Sequence, residues 1–180
     1  DLIERNAALN ALHEKIRALH ADVRELTPAI LGFEADAVFS HPPYTKTDSG
    51  KRNESDAKYI ARHEVFGSIY DFCRAADRLL KFGGKFFCVW RPDRLADLMD
   101  AMRQNHLEPK RMTFVHADTE TIPSSVLVEA KKGASPSLIL TPPLILYRAP
   151  QDGQSPRRFT DDAADIYRNC SFSNFFKKKG

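Results

Sequence analysis

Neither a metal-binding cysteine pattern nor a membrane-crossing run is present in this sequence. Its three cysteines, Cys73, Cys88 and Cys170, are odd in number and far apart. With no CxxC pair they suggest neither a zinc site nor a disulfide framework. Cys88 lies in an apolar run and is expected to be a small core residue, which makes a reducing, cytoplasmic setting the default. No stretch approaches the roughly 20 apolar residues that span a bilayer, and no signal-peptide pattern stands at the start. Glycine is scarce, at 8 of 180 residues, and there is no Walker loop to cradle a phosphate. A Ser-His-Asp triad and a metal centre are equally unsupported. His106 and His116 have no partners at ligand spacing and are expected to be structural or surface residues. Charge of one sign is also lacking. Lys and Arg number 27 against 24 acidic residues, a net +3, which permits nucleic-acid binding without demanding it.

What is there fits a single soluble domain. A chain of 180 residues with 42% hydrophobic and 28% charged content has the length and composition for one sizeable core. We expect a domain over residues 1–148 and a polar, flexible tail over 149–180, with Phe175 to Gly180 as a loose end. The chain opens on Asp1 within a helical pattern to Leu12, which suggests a domain truncated at its amino end.

Along the chain, Lys15 to His20 reads as a short strand, and Val23 to Ile30 as a helix interrupted by Pro28. Ala35 to Ser40 is an apolar strand running into His41-Pro42-Pro43-Tyr44. Thr45 to Ala57 is almost devoid of apolar residues and reads as a long loop of the kind that is usually functional or disordered. A helix follows to Leu80, with Ile69, Phe72, Cys73, Ala76, Leu79 and Leu80 at helical spacing. Phe82-Gly83-Gly84 should end it with a left-handed glycine cap. Lys85 to Trp90 is a buried strand, Pro92 opens a helix through Asn105, and Lys110 to His116 and Ser125 to Ala130 are further strands. Leu138 to Tyr147 is extended and broken by Pro142-Pro143, and a weak helix lies near Asp162 to Arg168. Alternating strands and helices predict an α/β fold with a mainly parallel sheet. The two strands without a helix between them should close it as an antiparallel hairpin.

In an open α/β sheet, ligands bind outside the carboxyl ends of the strands, and His41-Pro42-Pro43-Tyr44 stands at such an end. Two consecutive prolines fix φ and remove two donors, leaving the carbonyls of His41 and Pro42 free for a ligand. Tyr44 adds a flat face for a planar substrate. Acceptors for N–H bonds beside a stacking platform suit an exocyclic amino group. The same residues would also make a rigid, strand-terminating turn with a partly buried tyrosine.

The run DAVFSHPPY, residues 36–44, resembles the D-x-V-x-S-N-P-P-Y element of amino-methyltransferases. The likeness continues in Ile60 to Glu64, Leu79 to Lys85, Arg91 to Leu95, Leu107 to Arg111, Phe114 to His116 and Val126 to Gly133, and in Pro142-Pro143-Leu144 with Tyr147. Together these resemble the bacterial tRNA(Val) adenine-37 amino-methyltransferase family over about residues 1–148. The resemblance implies a Rossmann-like class I methyltransferase sheet, here lacking its first two strands, and S-adenosylmethionine as methyl donor. It implies that Asp22 binds the donor's adenine, although a short polar residue there also reads as a helix cap. Ser40 and the His41 backbone would flank the donor's methionine end. Pro42 and the side chain at position 41 would hold the target amine, with Pro43 and Tyr44 against the base. The target would be an unpaired adenine in tRNA, reached by in-line transfer that rests on positioning. Lys46, Lys51, Arg52, Lys58, Arg62, His63 and Arg91 would meet the tRNA backbone, although a charged loop and a helix start, with Glu64 in its first turn, are also ordinary solvated features.

Two departures stand out. His41 replaces asparagine, and a histidine ring accepts a hydrogen bond only through an unprotonated nitrogen. The glycine-rich donor loop and the ribose-binding acidic residue are absent, so weak donor binding is expected. Two other readings share the motif: methylation of a protein glutamine amide, and a catalytically silent RNA-binding module.

Overall fold

The computed structural model describes residues 2–42, 67–148 and 158–179. Two short helices come first, α1 (Leu2–Leu9) and α2 (Pro28–Leu31), followed by strand β1 (Ala35–Ser40). Helix α3 (Ile69–Leu79) leads directly into β2 (Leu80–Trp90). A 3-10 turn (Pro92–Arg94) and α4 (Leu95–Gln104) precede the hairpin β3 (Leu107–His116) and β4 (Pro123–Lys132). Two short strands, β5 (Ile139–Leu140) and β6 (Leu144–Ile145), and helices α5 (Asp161–Asn169) and α6 (Ser173–Lys179) complete the chain. No helix among the described residues is long and apolar enough to cross a membrane.

The strands form one open sheet in the order β1-β2-β4-β3-β5, with β6 also paired to β3. β1 and β2 run parallel across the α3 connection. β4 is antiparallel to both β2 and β3, so the expected hairpin is present. The expectation of a mainly parallel sheet is corrected, because the two longest ladders are antiparallel. The reason is topological: α4 carries the chain past one vacant position, and the tight β3–β4 turn returns β4 into it.

Period-two alternation on the strands meets a helical stripe on α3 and α4. Phe86, Cys88 and Trp90 of β2 and Val126, Val128 and Ala130 of β4 point to one face. There they pack with Ile69, Cys73, Ala76, Leu98, Ala101 and Met102, all buried. The buried Trp90 indole donates to the Arg94 carbonyl at 2.8 Å. Burial pushes the Cys73 thiol up to about 12 and raises that of Cys88 as well, so both stay neutral and serve as core residues. Asp71 fixes the start of α3 by accepting from the Ser68 N–H and hydroxyl, each at 2.9 Å. The helix ends at Leu79, earlier than the glycines. Gly83 (φ 78°) and Gly84 instead belong to a bulge where β2 leaves register with β1. A side chain at Gly84 would lie 2.9 Å from the Lys81 carbonyl oxygen.

Three local expectations are also corrected. Lys15 to His20 forms no strand and pairs with none of the described ones. The Val23–Ile30 helix shrinks to one turn, which Pro28 starts rather than interrupts, since its missing N–H is unused at that position. The loose end expected at Phe175 to Gly180 is largely helical. Phe175 is 3% exposed and packs with Val115 and Leu144, while the Arg111 guanidinium lies 4.2 Å from the Phe176 ring centre. A helix with one apolar stripe gains more by docking on the sheet than by staying in water.

Removing the Phe175 ring should leave a cavity under α6. Phe175→Ala is expected to lower unfolding free energy in urea by about 3–5 kcal/mol. A loss below about 1 kcal/mol would mean that α6 adds no packing.

Candidate active site

The carboxyl ends of β1 and β2 lie level with each other, with Ser40 opposite Cys88. Ser40 is half-buried, His41 is exposed, and Pro42 is fully buried. The proline therefore anchors the strand end while the residue before it stays at the surface. Pro43, Tyr44, Lys46, Lys51, Arg52, Lys58, Arg62, His63 and Glu64 lie outside the described residues.

Two recesses meet at His41. The first, of about 830 Å³, is bounded by His41, by Val89 to Asp93 at the end of β2, and by Ile122 to Ser125 at the start of β4. Its volume falls within the range of about 300–1,000 Å³ typical of small-molecule sites. The second, of about 610 Å³, lies on the sheet face opposite α3 and α4, between Phe39, Phe87 and Leu127 and the α6 residues Phe172 and Phe176. Phe39 and Phe87 stack with ring centres 4.7 Å apart. Glu129 bridges Lys85 (2.8 Å) and Arg111 (3.1 Å) at its edge.

Arg91 lies on the wall of the first recess, as its place after β2 requires. Its Nε donates to Asp93 Oδ1 at 2.8 Å, and its Nη2 reaches the second oxygen of the same carboxylate. That pairing holds the Asp93 carboxyl below its usual range and shares the cation that the sequence assigned to RNA phosphate. Beyond it, Arg94 Nε bonds Asp97 at 2.9 Å and the Arg94 guanidinium sits 5.3 Å from the Trp90 ring centre.

Asp22 lies on the amino-terminal segment, held beside α3 by Arg78 Nη2, which donates to the Arg24 carbonyl at 2.9 Å. Its Oδ1 accepts from the Arg24 backbone N–H and Nε, both at 2.9 Å, and its Oδ2 from Arg24 Nε and Nη2. The Arg24 side chain, with its backbone N–H, lowers the Asp22 carboxyl to about 2. Nearly all of the carboxylate's acceptor capacity is thus spent on Arg24. His106 faces Asp77 at 3.3 Å and His116 the Thr121 carbonyl at 2.7 Å. No cluster of three or more metal-ligating side chains occurs among the described residues.

Residues 122–125 were missed from the sequence. Only the antiparallel register that sets Val126 opposite Trp90 brings them to His41. The signal was the apolar Ile122 before Pro123 in an otherwise polar turn.

No family model matches the sequence, and no curated protein matches it. Solved structures do. The chain is similar to the crystal structure of a predicted O-methyltransferase from Agrobacterium tumefaciens, with a TM-score of 0.65 and 23% identity over 92% of this chain and 70% of that one. It is similar more distantly to geranyl diphosphate C-methyltransferase from Streptomyces coelicolor (TM-score 0.47, 13% identity, 72% of this chain and 59% of that one). A third likeness is to the complex of M1.HpyAVI with SAM (TM-score 0.42, 12% identity, 78% and 62%). The first likeness fixes the fold: the open mixed sheet is that of the Rossmann-like class I methyltransferases.

The Asp22–Arg24 contact makes a measurable prediction. A carboxyl depressed by its partner adds stability above the unfolded pKa and loses it as pH falls through the folded one. NMR titration should place the Asp22 midpoint at about 2, and Arg24→Met should return it to the ordinary aspartate range, about 3.9. An unchanged midpoint in the variant would assign the shift to another cause.

Proposed function

We propose that the protein transfers a methyl group from S-adenosylmethionine to an amino nitrogen, the exocyclic amine of an adenine in tRNA. One observation carries this reading. Ser40-His41-Pro42, the described part of the Ser-His-Pro-Pro-Tyr motif, leaves a parallel strand at its carboxyl end, on a methyltransferase fold, and His41 borders a recess large enough for a cofactor and a base. Ser40 and His41 suit the methionine end of the donor. Asp22 suits its adenine less well, because a new acceptor role there requires Arg24 to let go.

S-adenosylmethionine, when bound, supplies an electrophilic methyl group on a sulfonium sulfur. The chain's own residues do the rest. The Pro42 carbonyl and the His41 ring nitrogen accept the two N–H bonds of the target amine, which turns the nitrogen lone pair toward the methyl group. The buried Pro42 keeps those acceptors in place without reorganisation. Tyr44 stacks on the base and removes its rotational freedom. Once the nitrogen carries its new bond it is acidic and yields its proton to water. Most of the rate gain in such a site comes from positioning. Lys46, Arg62, His63 and Arg91 meet the tRNA backbone.

The test is transfer of labelled methyl from S-adenosylmethionine to unmodified tRNA, followed by nucleoside analysis. Label is expected in N6-methyladenosine. Tyr44→Ala should lower kcat/KM about 5- to 150-fold, the loss of one base–aromatic stack. His41→Asn, which installs an acceptor that does not titrate, should raise kcat about 2- to 10-fold. Label in protein glutamine instead would replace the substrate assignment, and label in neither would overturn the enzymatic reading.

A further inference from the structure

The turn between β3 and β4 is built more firmly than a connecting loop requires. The Asp118 N–H donates to Thr121 Oγ1 at 3.2 Å, the Glu120 N–H to Asp118 Oδ1 at 3.1 Å, and the Thr121 hydroxyl to the Asp118 carbonyl at 3.2 Å. His116 Nδ1 lies 2.7 Å from the Thr121 carbonyl, which ties the turn to the end of β3. Pairing then jumps from Val115↔Ser125 to His116↔Pro123, so Ser124 is a bulge, and its hydroxyl donates to the Val115 carbonyl at 3.2 Å. Bulges of this kind re-aim neighbouring side chains and recur beside active sites. Here the neighbour is Ile122, 87% exposed. It stands on the rim of the recess that His41 and Arg91 also line, and Pro123 and Pro92 extend the apolar surface around it.

A ligand entering this recess meets two unlike walls. The Arg91–Asp93 wall is polar, and the Ile122–Pro123 wall is apolar and rigid. A nucleotide has the same two sides, a charged backbone and an apolar base face. An isoleucine held out on a stiff turn loses little freedom when a base settles on it, and apolar side chains serve as wedges between bases in other nucleic-acid complexes.

We propose that Ile122 contacts the face of the base next to the target adenine, so that the β3–β4 turn reads an unpaired RNA loop rather than an isolated nucleotide. This rests on the reading of the site as one for adenine in RNA. Ile122 is a specificity residue in this scheme and takes no part in the chemistry.

Two measurements on the whole protein test it. In methyl transfer to tRNA, Ile122→Ala should raise KM about 5- to 30-fold with kcat changed less than about twofold. Ile139→Ala, at an exposed isoleucine on β5 opposite Arg111 of β3, should change neither. In fluorescence anisotropy with a labelled RNA stem–loop carrying adenines in its loop, Ile122→Ala should weaken binding by a similar factor, and Ile139→Ala should not. An unchanged KM, unchanged RNA affinity, or no RNA binding by the wild-type protein overturns the inference. If the wild-type protein transfers no methyl group yet Ile122→Ala still weakens RNA binding, the inference stands and the enzymatic reading falls.

Discussion

Strand β4 holds the molecule together because it alone among the described strands bonds along both edges to long partners. β2 lies on one side of it and β3 on the other. Its inward residues, Val126, Val128 and Ala130, sit between the two helices and the aromatic side chains of β2 in a single buried cluster. Were β4 absent, β3 would lose its longest ladder, and β5, β6 and the α6 docking surface that depend on β3 would go with it. The same strand delivers residues 122–125 to the end of β2. The constraint that builds the core therefore also builds one wall of the recess.

The recess shows how a small rigid element divides labour. Pro42 is buried and His41 is exposed, so the backbone at the strand end is fixed while the neighbouring side chain faces the cavity. Preorganisation of this kind spends folding energy in advance and leaves little to rearrange when a ligand arrives. The charged pairs follow a different logic. Arg24 satisfies Asp22, Asp93 engages Arg91 and Asp97 engages Arg94. Exposed pairs of this sort contribute little stability, and of the three the Arg91–Asp93 pair stands on the wall of the recess.

Much of the fold was legible in the sequence. The β2 and β4 strands announced themselves through apolar runs, α3 through residues at helical spacing, and the closing hairpin through the lack of a helix between two strands. Local patterns of this kind survive because each residue's burial follows its own side chain. The failures share a different cause. Lys15 to His20 has strand-like alternation but pairs with none of the described strands, and a strand is defined by its partner. Phe175 and Phe176 sit in a lysine-rich end that looked loose, and only the sheet face under them makes the helix worth forming. The site divided in the same way: Ser40 to Tyr44 stood out as a motif, whereas Ile122 to Ser125, some eighty residues later, carried only the faint signal of an apolar residue in a polar turn.

The sequence by itself determined the α/β class, the core faces of the long strands and helices, and the proline-stiffened strand end, because these depend on periodicity and on the chemistry of neighbouring residues. Tertiary structure decided the insertion of β4, the docking of α6, the engagement of Asp22 by Arg24, and the meeting of His41, Arg91 and Ile122 around one recess. Those outcomes depend on which distant segments share hydrogen-bonding edges and apolar faces, and pairings at long range leave no local imprint on the chain.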